Sequence, residues 1–259
     1  MADRTPTPSR MPFSLAAGAL LVGVLVVAVI FIDRSNSVNP PVSSGSPSPS
    51  VTASASASPA TIALADCTTA TFGAPLPASG APTNPHVYSA PPATQIDMSK
   101  LYEATIKTAR GNIVICLQPN LAPNTVNNFV ALARNHFYDG IPFHRVCPNT
   151  ADTSCGGTLA IIQGGDPNCI ANVHATTCGQ GGPGYKFNDE PVHQQYIAGT
   201  VAMANSGPNT NGSQFFIDTG TNQFAPSYNL FGNVASGLDV ARKIVQGDVV
   251  QSVTVAAQQ

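Results

Sequence analysis

The chain has 259 residues, which is enough for one large domain or two small ones, and only 9% of them are charged. Its formal net charge of −2 gives no strongly basic face, so no nucleic-acid partner is expected. Proline (23) and glycine (22) are abundant, and the six cysteines form an even set whose oxidation state depends on the compartment.

An uncharged apolar run extends from Pro12 to Ile32. A helix needs about 20 apolar residues to cross a hydrocarbon core of roughly 30 Å, so the run predicts a transmembrane anchor within residues 1–34. Arg4 and Arg10 precede it and weakly favour a cytoplasmic N-terminus. A cleaved signal peptide is the alternative, although its apolar region would be shorter and followed directly by small residues. With either an anchor or a signal peptide, the residues after this run are exported from the cytoplasm. The anchor predicts a single-pass protein of the cell membrane whose folded domain is extracytoplasmic.

Residues 35–60 consist almost entirely of serine, proline, alanine, valine and threonine. Such a segment cannot bury enough apolar surface to offset its ordering entropy, which predicts a disordered linker. Residues 61–99 stay proline-rich and acquire Cys67, so we interpret them as an extended lead-in. The predicted organisation is therefore an anchor at 1–34, a linker and lead-in at 35–99, and a domain at 100–259.

The proline-rich lead-in ends before Lys100, and patterns typical of strands and helices begin there. The runs Tyr102–Lys107 and Asn112–Leu117 predict two hairpin strands. A helix is predicted to begin at Pro123, with one apolar face formed by Val126, Phe129, Val130 and Ala133. Glycine-punctuated, strand-like segments follow, and a second helix is predicted from Leu238 to Val245. Short strands with only two helices predict a mainly β fold, a closed barrel capped by helices.

Four motifs then occur in a fixed order. They are APNTVNNFVALA at 122–133, FHRV at 143–146, QGGD at 163–166 and MANSGPNTNGSQFF at 203–216. Each short motif is weak alone, but their order and spacing are specific. The chain thereby resembles the cyclophilin family of peptidyl-prolyl cis-trans isomerases, in a bacterial, membrane-anchored form. The resemblance covers about residues 100–257 and implies a closed eight-stranded antiparallel barrel, a helix at each end and a peptide groove on its outer face.

The activity implied by this resemblance is acceleration of X-Pro bond isomerisation in exported proteins, which assists their folding. The reaction forms no new bond to carbon, so neither a metal nor another cofactor is expected. The expected partners are proline-containing polypeptides and the membrane, and the chain is expected to be monomeric.

By the same resemblance, Arg145 donates a hydrogen bond to the prolyl nitrogen, and Gln163 positions Arg145 and contacts the substrate carbonyl. The other implied substrate-binding residues are the backbone around Ala204, Asn205 and Ser206, the slot residues Ile161, Phe216 and Tyr228, and Gln214 at the slot's edge. Phe224 aligns where some members carry a tryptophan that holds cyclosporin, so weaker binding of that drug is expected.

One departure from the family pattern leaves a second function open. Ala160 stands where the family usually has a phenylalanine that forms one wall of the proline slot. A proline-peptide binding module with weak turnover is therefore an alternative, whereas a general holdase chaperone has no large apolar motif in its favour. The joint presence of Arg145, Gln163 and Phe216 favours the enzyme, since simple binding would not require the arginine.

Two insertions relative to the family pattern follow Val146 and Asp166, and each has a cysteine at either end. The expected disulfides are Cys147–Cys155 and Cys169–Cys178, with Cys67–Cys116 formed by the remaining pair, although other pairings are possible. A zinc site at Cys169, His174 and Cys178 is the alternative. It lacks an evident fourth ligand, and an exported chain favours disulfides, so no metal site is expected.

Overall fold

A computed structural model describes residues 63–148, 155 and 159–259. Within these ranges the chain forms two α-helices, α1 (Pro123–Arg134) and α2 (Leu238–Ala241). The same residues form nine strands, namely β1 (Phe72–Pro75), β2 (Tyr102–Thr108), β3 (Gly111–Leu117), β4 (Arg145–Pro148), β5 (Ala160–Gly164), β6 (Thr200–Met203), β7 (Phe215–Asp218), β8 (Leu230–Ser236) and β9 (Ser252–Gln258). The expectation of a mainly β fold with few helices is confirmed.

The predicted anchor and the linker at 35–60 lie outside the described residues and stay predictions. In the part of the chain that the structure does describe, no helix combines the length and apolarity needed to cross a membrane.

All nine strands join one antiparallel sheet in the order β1-β9-β2-β3-β8-β6-β7-β5-β4. Over its described residues the domain at 100–259 does contain eight strands, β2 to β9, and the lead-in adds β1 as a ninth. The prediction of a closed barrel was wrong, because the end strands β1 and β4 do not pair. Irregular segments approach each other instead: Gly140 donates to the carbonyl of Val250 (2.8 Å), and Phe143 donates to that of Asp248 (2.8 Å). Pro142 lies between them and has no N–H to donate, which prevents a regular ladder there.

The predicted hairpin of β2 and β3 is confirmed, with a continuous register from Tyr102–Leu117 to Thr108–Gly111. Gly111 adopts a φ of 129°, in the region that favours glycine. The second helix is shorter than the predicted Leu238–Val245. The reason is that the amides of Lys243 and Ile244 bond three residues back instead of four, which tightens the chain out of the α-helix.

The N-terminus of α1 is capped from a distant part of the sequence. Its own N-cap residue, Ala122, has no side chain that could bond the first turn. The carboxylate of Glu190 does so instead, accepting from the amide of Asn124 (2.9 Å), the amide of Thr125 (2.8 Å) and the Thr125 hydroxyl (2.6 Å). A negative charge at this end of a helix also complements the helix dipole.

The lead-in is structured over its described residues and wraps α1. Its backbone donates to two buried asparagines of this region, from Ser79 to the side chain of Asn135 (2.8 Å) and from Gln95 to that of Asn127 (2.8 Å). Strand β1 then pairs with β9, so the sheet begins before residue 100. The polar side of α1 is therefore buried under the lead-in rather than exposed.

The three predicted disulfides are confirmed. Cys67 bonds Cys116 of β3 and so ties the lead-in to the sheet. The other two, Cys147–Cys155 and Cys169–Cys178, each close one of the two insertions.

An aromatic core fills the interior side of the sheet. The ring of Phe129 from α1 lies 4.9 Å from that of Tyr138, 5.6 Å from that of Phe215 and 5.4 Å from that of Phe231. All four side chains are fully buried, and complete burial of a phenylalanine contributes about 1.5–3 kcal/mol. This core fixes α1 against the sheet.

The carboxyl group of Asp218, at the end of β7, is buried and has no charge partner in the described ranges. Its Oδ1 atom accepts from the amide of Gly220 (3.0 Å) and from the Asn222 side chain (2.7 Å), whereas Oδ2 has no partner among these residues. Burial raises the pKa of Asp218, and the hydrogen bonds to Oδ1 oppose that rise.

We expect Glu190→Ala to lower the free energy of unfolding by about 1–3 kcal/mol, because four donors of Asn124 and Thr125 at the start of α1 lose their acceptor. Thermal unfolding of the full chain measures the effect. The matched control is alanine at Glu103, the chain's other glutamate, which accepts no comparable set of bonds in the described residues. Equal midpoints for the two variants would contradict the capping role.

We expect Asp218→Asn to change the pH dependence of stability. A carboxyl whose folded-state pKa is raised contributes stability at low pH that is lost as the pH rises from about 3.9, the unfolded value, through the folded value. The variant should therefore match the wild type in acid, below about pH 4, and exceed it by a growing margin as the pH rises towards 7.

Thermal midpoints of Asp218→Asn and the wild type, measured across a series of pH values, test this prediction. A second variant, for which the opposite change in stability is expected, is the control. The hydrogen bond from Lys243 lowers the pKa of Asp239, so Asp239→Asn should lose stability relative to the wild type at neutral pH and not in acid. A difference between Asp218→Asn and the wild type that does not vary with pH would contradict the assignment.

Candidate active site

Four strands place one row of side chains on a single face of the sheet. Arg145 of β4 pairs with Gln163 of β5, Gln163 pairs with Phe216 of β7, and Phe216 pairs with Ala202 of β6. Residues directly opposite each other in neighbouring strands project to the same side. Arg145, Gln163 and Phe216, which the sequence analysis had singled out, are thus brought together by the register alone.

The alternate residues of the same strands face the opposite way, into the aromatic core. Ile162, Met203 and Phe215 belong to that core, whereas Ile161, Ala202 and Phe216 form a second apolar cluster. This period of two separates the interior of the fold from the candidate site.

Arg145 is exposed on the edge strand β4. Among the described residues no carboxylate lies within ion-pair distance of its guanidinium. The strand is held in place by the preceding residue, since the amide of His144 donates to the carbonyl of Gln163 (3.0 Å) and the Gln246 side chain donates to the carbonyl of His144 (2.8 Å). A permanently charged donor therefore stands at the edge of the site on a fixed backbone.

Gln163 is joined to Gln214 rather than to Arg145 by its hydrogen bond. Its side-chain amide donates to Oε1 of Gln214 (3.0 Å), and Gln214 in turn donates to the carbonyls of Gly181 (2.9 Å) and Gly179 (3.1 Å). The chain of amides fixes the orientation of Gln163, and the Arg145 side chain is its cross-strand neighbour.

The glycine turn that receives these bonds is itself anchored by a buried acid. Oδ2 of Asp166, which has no exposed surface, accepts from the amides of Gly179 (2.5 Å) and Gly181 (2.9 Å). A Cβ atom at Gly181 would collide with this carboxylate, so the close approach requires glycine. Sequence reasoning identified the turn but not the acid that holds it.

An aromatic cluster lies next to the row. The ring of Phe216 is 5.3 Å from that of Phe224 and 5.5 Å from that of Tyr228. Ile161 packs in the same cluster, and Phe224 and Tyr228 are half-buried, which leaves apolar surface accessible. The three predicted slot residues, Ile161, Phe216 and Tyr228, are thus assembled at one place together with Phe224.

Tyr196 completes this cluster and was missed from the sequence. Its hydroxyl donates to the carbonyl of Tyr228 (2.6 Å) and accepts from the amide of Tyr228 (3.0 Å). Burial raises the pKa of Tyr196 to about 12, so the hydroxyl keeps its proton at neutral pH. A lone aromatic residue in the polar stretch 193–199 was the available signal.

Ala160 does not lie on the site face. Strand alternation places it with Ile162, and its amide and carbonyl are both bonded to the Asn222 side chain. The neighbouring Leu159 packs against the second apolar cluster instead. An aliphatic side chain therefore stands close to where the family pattern has an aromatic wall.

The predicted backbone segment 204–206 is engaged unevenly. The amide of Ala204 donates to the carbonyl of Gln214 (2.9 Å), and that of Ser206 donates to the Thr210 hydroxyl (2.9 Å). Within the described residues the amide and carbonyl of Asn205 have no partner. Of the three predicted residues, Asn205 is the one whose amide and carbonyl both lack a partner among the described residues, so both are available to a peptide.

A cavity of about 550 Å³ lies beside the cluster. Its lining includes Gln163, Gln214, the segment 204–206 and the glycine turn, but not Ile161 or Phe216. The site thus consists of an aromatic cluster and a more polar cavity, and Gln163 and Gln214 line the cavity.

His144, next to Arg145, is buried and faces the second insertion. Burial lowers the pKa of His144, which favours the neutral ring. One ring nitrogen and the sulfur atoms of Cys169 and Cys178 all lie within 4.8 Å of one another. The zinc alternative considered from the sequence named the wrong histidine, because His174 is exposed and lies outside this group.

Comparison with known proteins gives the same family as the motifs. Residues 103–258 match the family described as cyclophilin type peptidyl-prolyl cis-trans isomerase/CLD. A "Probable peptidyl-prolyl cis-trans isomerase B" of Mycobacterium leprae is 38% identical over 160 residues, which cover 56% of this chain and 49% of that protein. The chain thus spans about half the length of that relative.

Two other relatives are covered more fully. A peptidyl-prolyl cis-trans isomerase of Helicobacter pylori is 37% identical over 162 residues (61% of this chain, 88% of that protein), and one of Streptomyces anulatus, of type B, is 40% identical over 169 residues (57% and 83%). A crystal structure of a Cryptosporidium parvum cyclophilin type isomerase in the presence of the dipeptide Ala-Pro aligns with a TM-score of 0.46 at 27% identity, covering 59% of this chain and 98% of that one. From the extent of the family match, this chain belongs to the cyclophilin-type peptidyl-prolyl cis-trans isomerase family.

Proposed function

We propose that the chain is a peptidyl-prolyl cis-trans isomerase that acts on proline-containing segments of exported proteins. The observation that carries the proposal is the row formed by Arg145, Gln163 and Phe216 beside a half-buried aromatic cluster. A charged donor, an amide and an apolar slot on one rigid face are the groups that rotation about an X-Pro bond requires.

The reaction is slow without a catalyst because the peptide bond has partial double-bond character, with a barrier of about 18–20 kcal/mol. In the twisted transition state the prolyl nitrogen recovers its lone pair and can accept a hydrogen bond. Arg145 supplies the donor to that nitrogen. The bond forms only in the transition state, so it lowers the barrier without tightening substrate binding.

The remaining groups hold the peptide while the bond turns. The ring of the substrate proline rests on Phe216 and Ile161, within the cluster closed by Tyr228. Gln163, fixed by Gln214, contacts the substrate carbonyl. The backbone of Asn205 pairs with the residue before the proline, and the cavity of about 550 Å³ takes a neighbouring side chain.

This arrangement of groups can provide the acceleration that the reaction requires. An acceleration of about 10⁴–10⁵-fold corresponds to roughly 6–7 kcal/mol of selective stabilisation. A charge-assisted hydrogen bond in a partly dry groove supplies a large share of this, and preorganised dipoles supply more. A single chain carries the whole row, which supports action as a monomer.

The location is part of the proposal. The apolar run 12–32 supports an anchor in the cell membrane, and the segment 35–60 supports a tether to an extracytoplasmic domain. The three disulfides support an oxidising compartment. The substrates there are exported chains whose X-Pro bonds limit their folding.

A proline-peptide binding module with weak turnover is the second candidate function. The observation that favours it is that aliphatic Leu159 packs against the second apolar cluster close to where the family pattern has an aromatic wall, while Ala160 lies on the opposite face of β5. The two functions differ in what Arg145 does, because a binding module does not depend on the transition-state donor.

We expect Arg145→Ala to lower kcat/KM at least about 30-fold, which corresponds to about 2 kcal/mol of transition-state stabilisation. The affinity for a proline peptide, measured by calorimetry, and the thermal midpoint should stay close to wild type. A protease-coupled isomerisation assay measures the rate.

Arg145→Lys is the matched variant. It keeps the positive charge but loses the planar guanidinium donor, so its rate should lie nearer that of the alanine variant. Near-wild-type turnover in Arg145→Ala would contradict the mechanism. Weak turnover in the wild type itself, with tight peptide binding, would favour the binding module.

A further inference from the structure

The neck of the second insertion, where Cys169 and Cys178 close it, brings one imidazole ring and two sulfur atoms together beside the groove. Atoms of His144, Cys169 and Cys178 lie within 4.8 Å of one another, and the two cysteines form a disulfide. Cys169 is 1% exposed, and Cys178 is half-buried. The group lies outside the row of Arg145, Gln163 and Phe216 and takes no part in the proposed reaction.

The imidazole of His144 is the second and independent observation. Its side chain is more than nine-tenths buried, with a residue exposure of 8%, yet neither ring nitrogen has a hydrogen-bond partner in the described residues. Buried polar atoms are nearly always paired, and an unpaired one costs about 1–3 kcal/mol. A ring nitrogen that faces two sulfur atoms without a partner fits a metal ligand.

The neck is held shut by more than its disulfide. The carboxylate of Asp166 accepts from the amide of Asn168 at one end (2.8 Å) and from that of Gly179 at the other (2.5 Å). The Asn168 side chain also donates to the carbonyl of Thr177 (3.3 Å). These bonds join the residues that flank both cysteines, so the two sulfur atoms stay close to each other after the disulfide is reduced.

We propose that reduction of Cys169–Cys178 creates a zinc site formed by the two thiolates and the imidazole of His144. An external dithiol supplies two electrons and two protons: the S–S bond breaks, two thiols form, and the reductant closes to its own disulfide. Zinc binding then forms two Zn–S bonds and one Zn–N bond and releases the two thiol protons to solvent.

The chemistry of the donors selects zinc. Thiolate and imidazole are its usual ligands, at about 2.3 Å and 2.0–2.1 Å, and ligand atoms of such a tetrahedron lie roughly 3.5–3.8 Å apart. Two thiolates neutralise the ion, which makes burial inexpensive. The half-buried Cys178 leaves the fourth position to a water molecule. In the disulfide the sulfur atoms are not thiolates, so the oxidised chain does not bind.

The test is a zinc titration of the full chain, reduced with a dithiol that is then removed by anaerobic desalting, against a chromophoric chelator. We expect one zinc ion per reduced chain and none for the oxidised chain. Cobalt in place of zinc should give thiolate charge-transfer absorption. Reduced chain without tight zinc binding would overturn the proposal.

Two histidine variants form a matched pair within the same region. His144→Gln should weaken zinc binding at least about tenfold, whereas His174→Gln, which changes an exposed histidine between the two cysteines, should leave it unchanged. Equal affinities for both variants, or a larger loss in His174→Gln, would overturn the assignment of the histidine.

Reduction also frees the other four cysteines, so the ligands are identified by alkylation of the wild type. Bound zinc should protect Cys169 and Cys178 and leave Cys147 and Cys155 reactive, as shown by peptide mass spectrometry. This measurement does not depend on the folding of any variant. Protection of Cys147 and Cys155 instead would place the metal at the first insertion and overturn the proposal. Because isomerase activity is not a readout, the result is independent of the proposed function.

Discussion

The candidate site depends on the register between β4, β5, β7 and β6. A slip of one residue at any of these ladders would turn every side chain of the displaced strand to the other face. Arg145 would then face the core, and Ile162 would replace Gln163 beside the aromatic cluster. The register is in turn fixed by the core side, where Phe215 and Met203 have no other place to be buried. The packing of the interior therefore determines the geometry of the outer face.

Polar groups on the site face are oriented by a buried network rather than by the groove itself. Asp166 has no contact with solvent, yet it fixes the glycine turn whose carbonyls receive Gln214. Gln214 then orients Gln163. Asp166, the glycine turn, Gln214 and Gln163 are already hydrogen-bonded to one another before a peptide arrives. Little reorganisation of these groups is therefore needed when the peptide binds, which is what preorganised catalysis requires.

Local patterns predicted the parts of the fold that local forces determine. The apolar face of α1, the β2–β3 hairpin and the motif residues Arg145 and Gln163 were all found from spacing or resemblance. The missed features join distant segments. Glu190 caps a helix 65 residues earlier in the chain, Pro142 interrupts the ladder only because it meets residues near 249, and His144 reaches a cysteine pair in another loop. No window of sequence contains both partners of such contacts.

The bond between Cys67 and Cys116 also sets a path for mechanical force. Tension that arrives along the segment before Cys67 passes through the sulfur atoms directly into β3, in the middle of the sheet. Residues 68–115, with β1 and β2 among them, lie outside that path. A force applied from the N-terminal side therefore places no tension on the part of the lead-in that wraps α1. The disulfide bond, not the hydrogen bonds of an edge strand, resists that force.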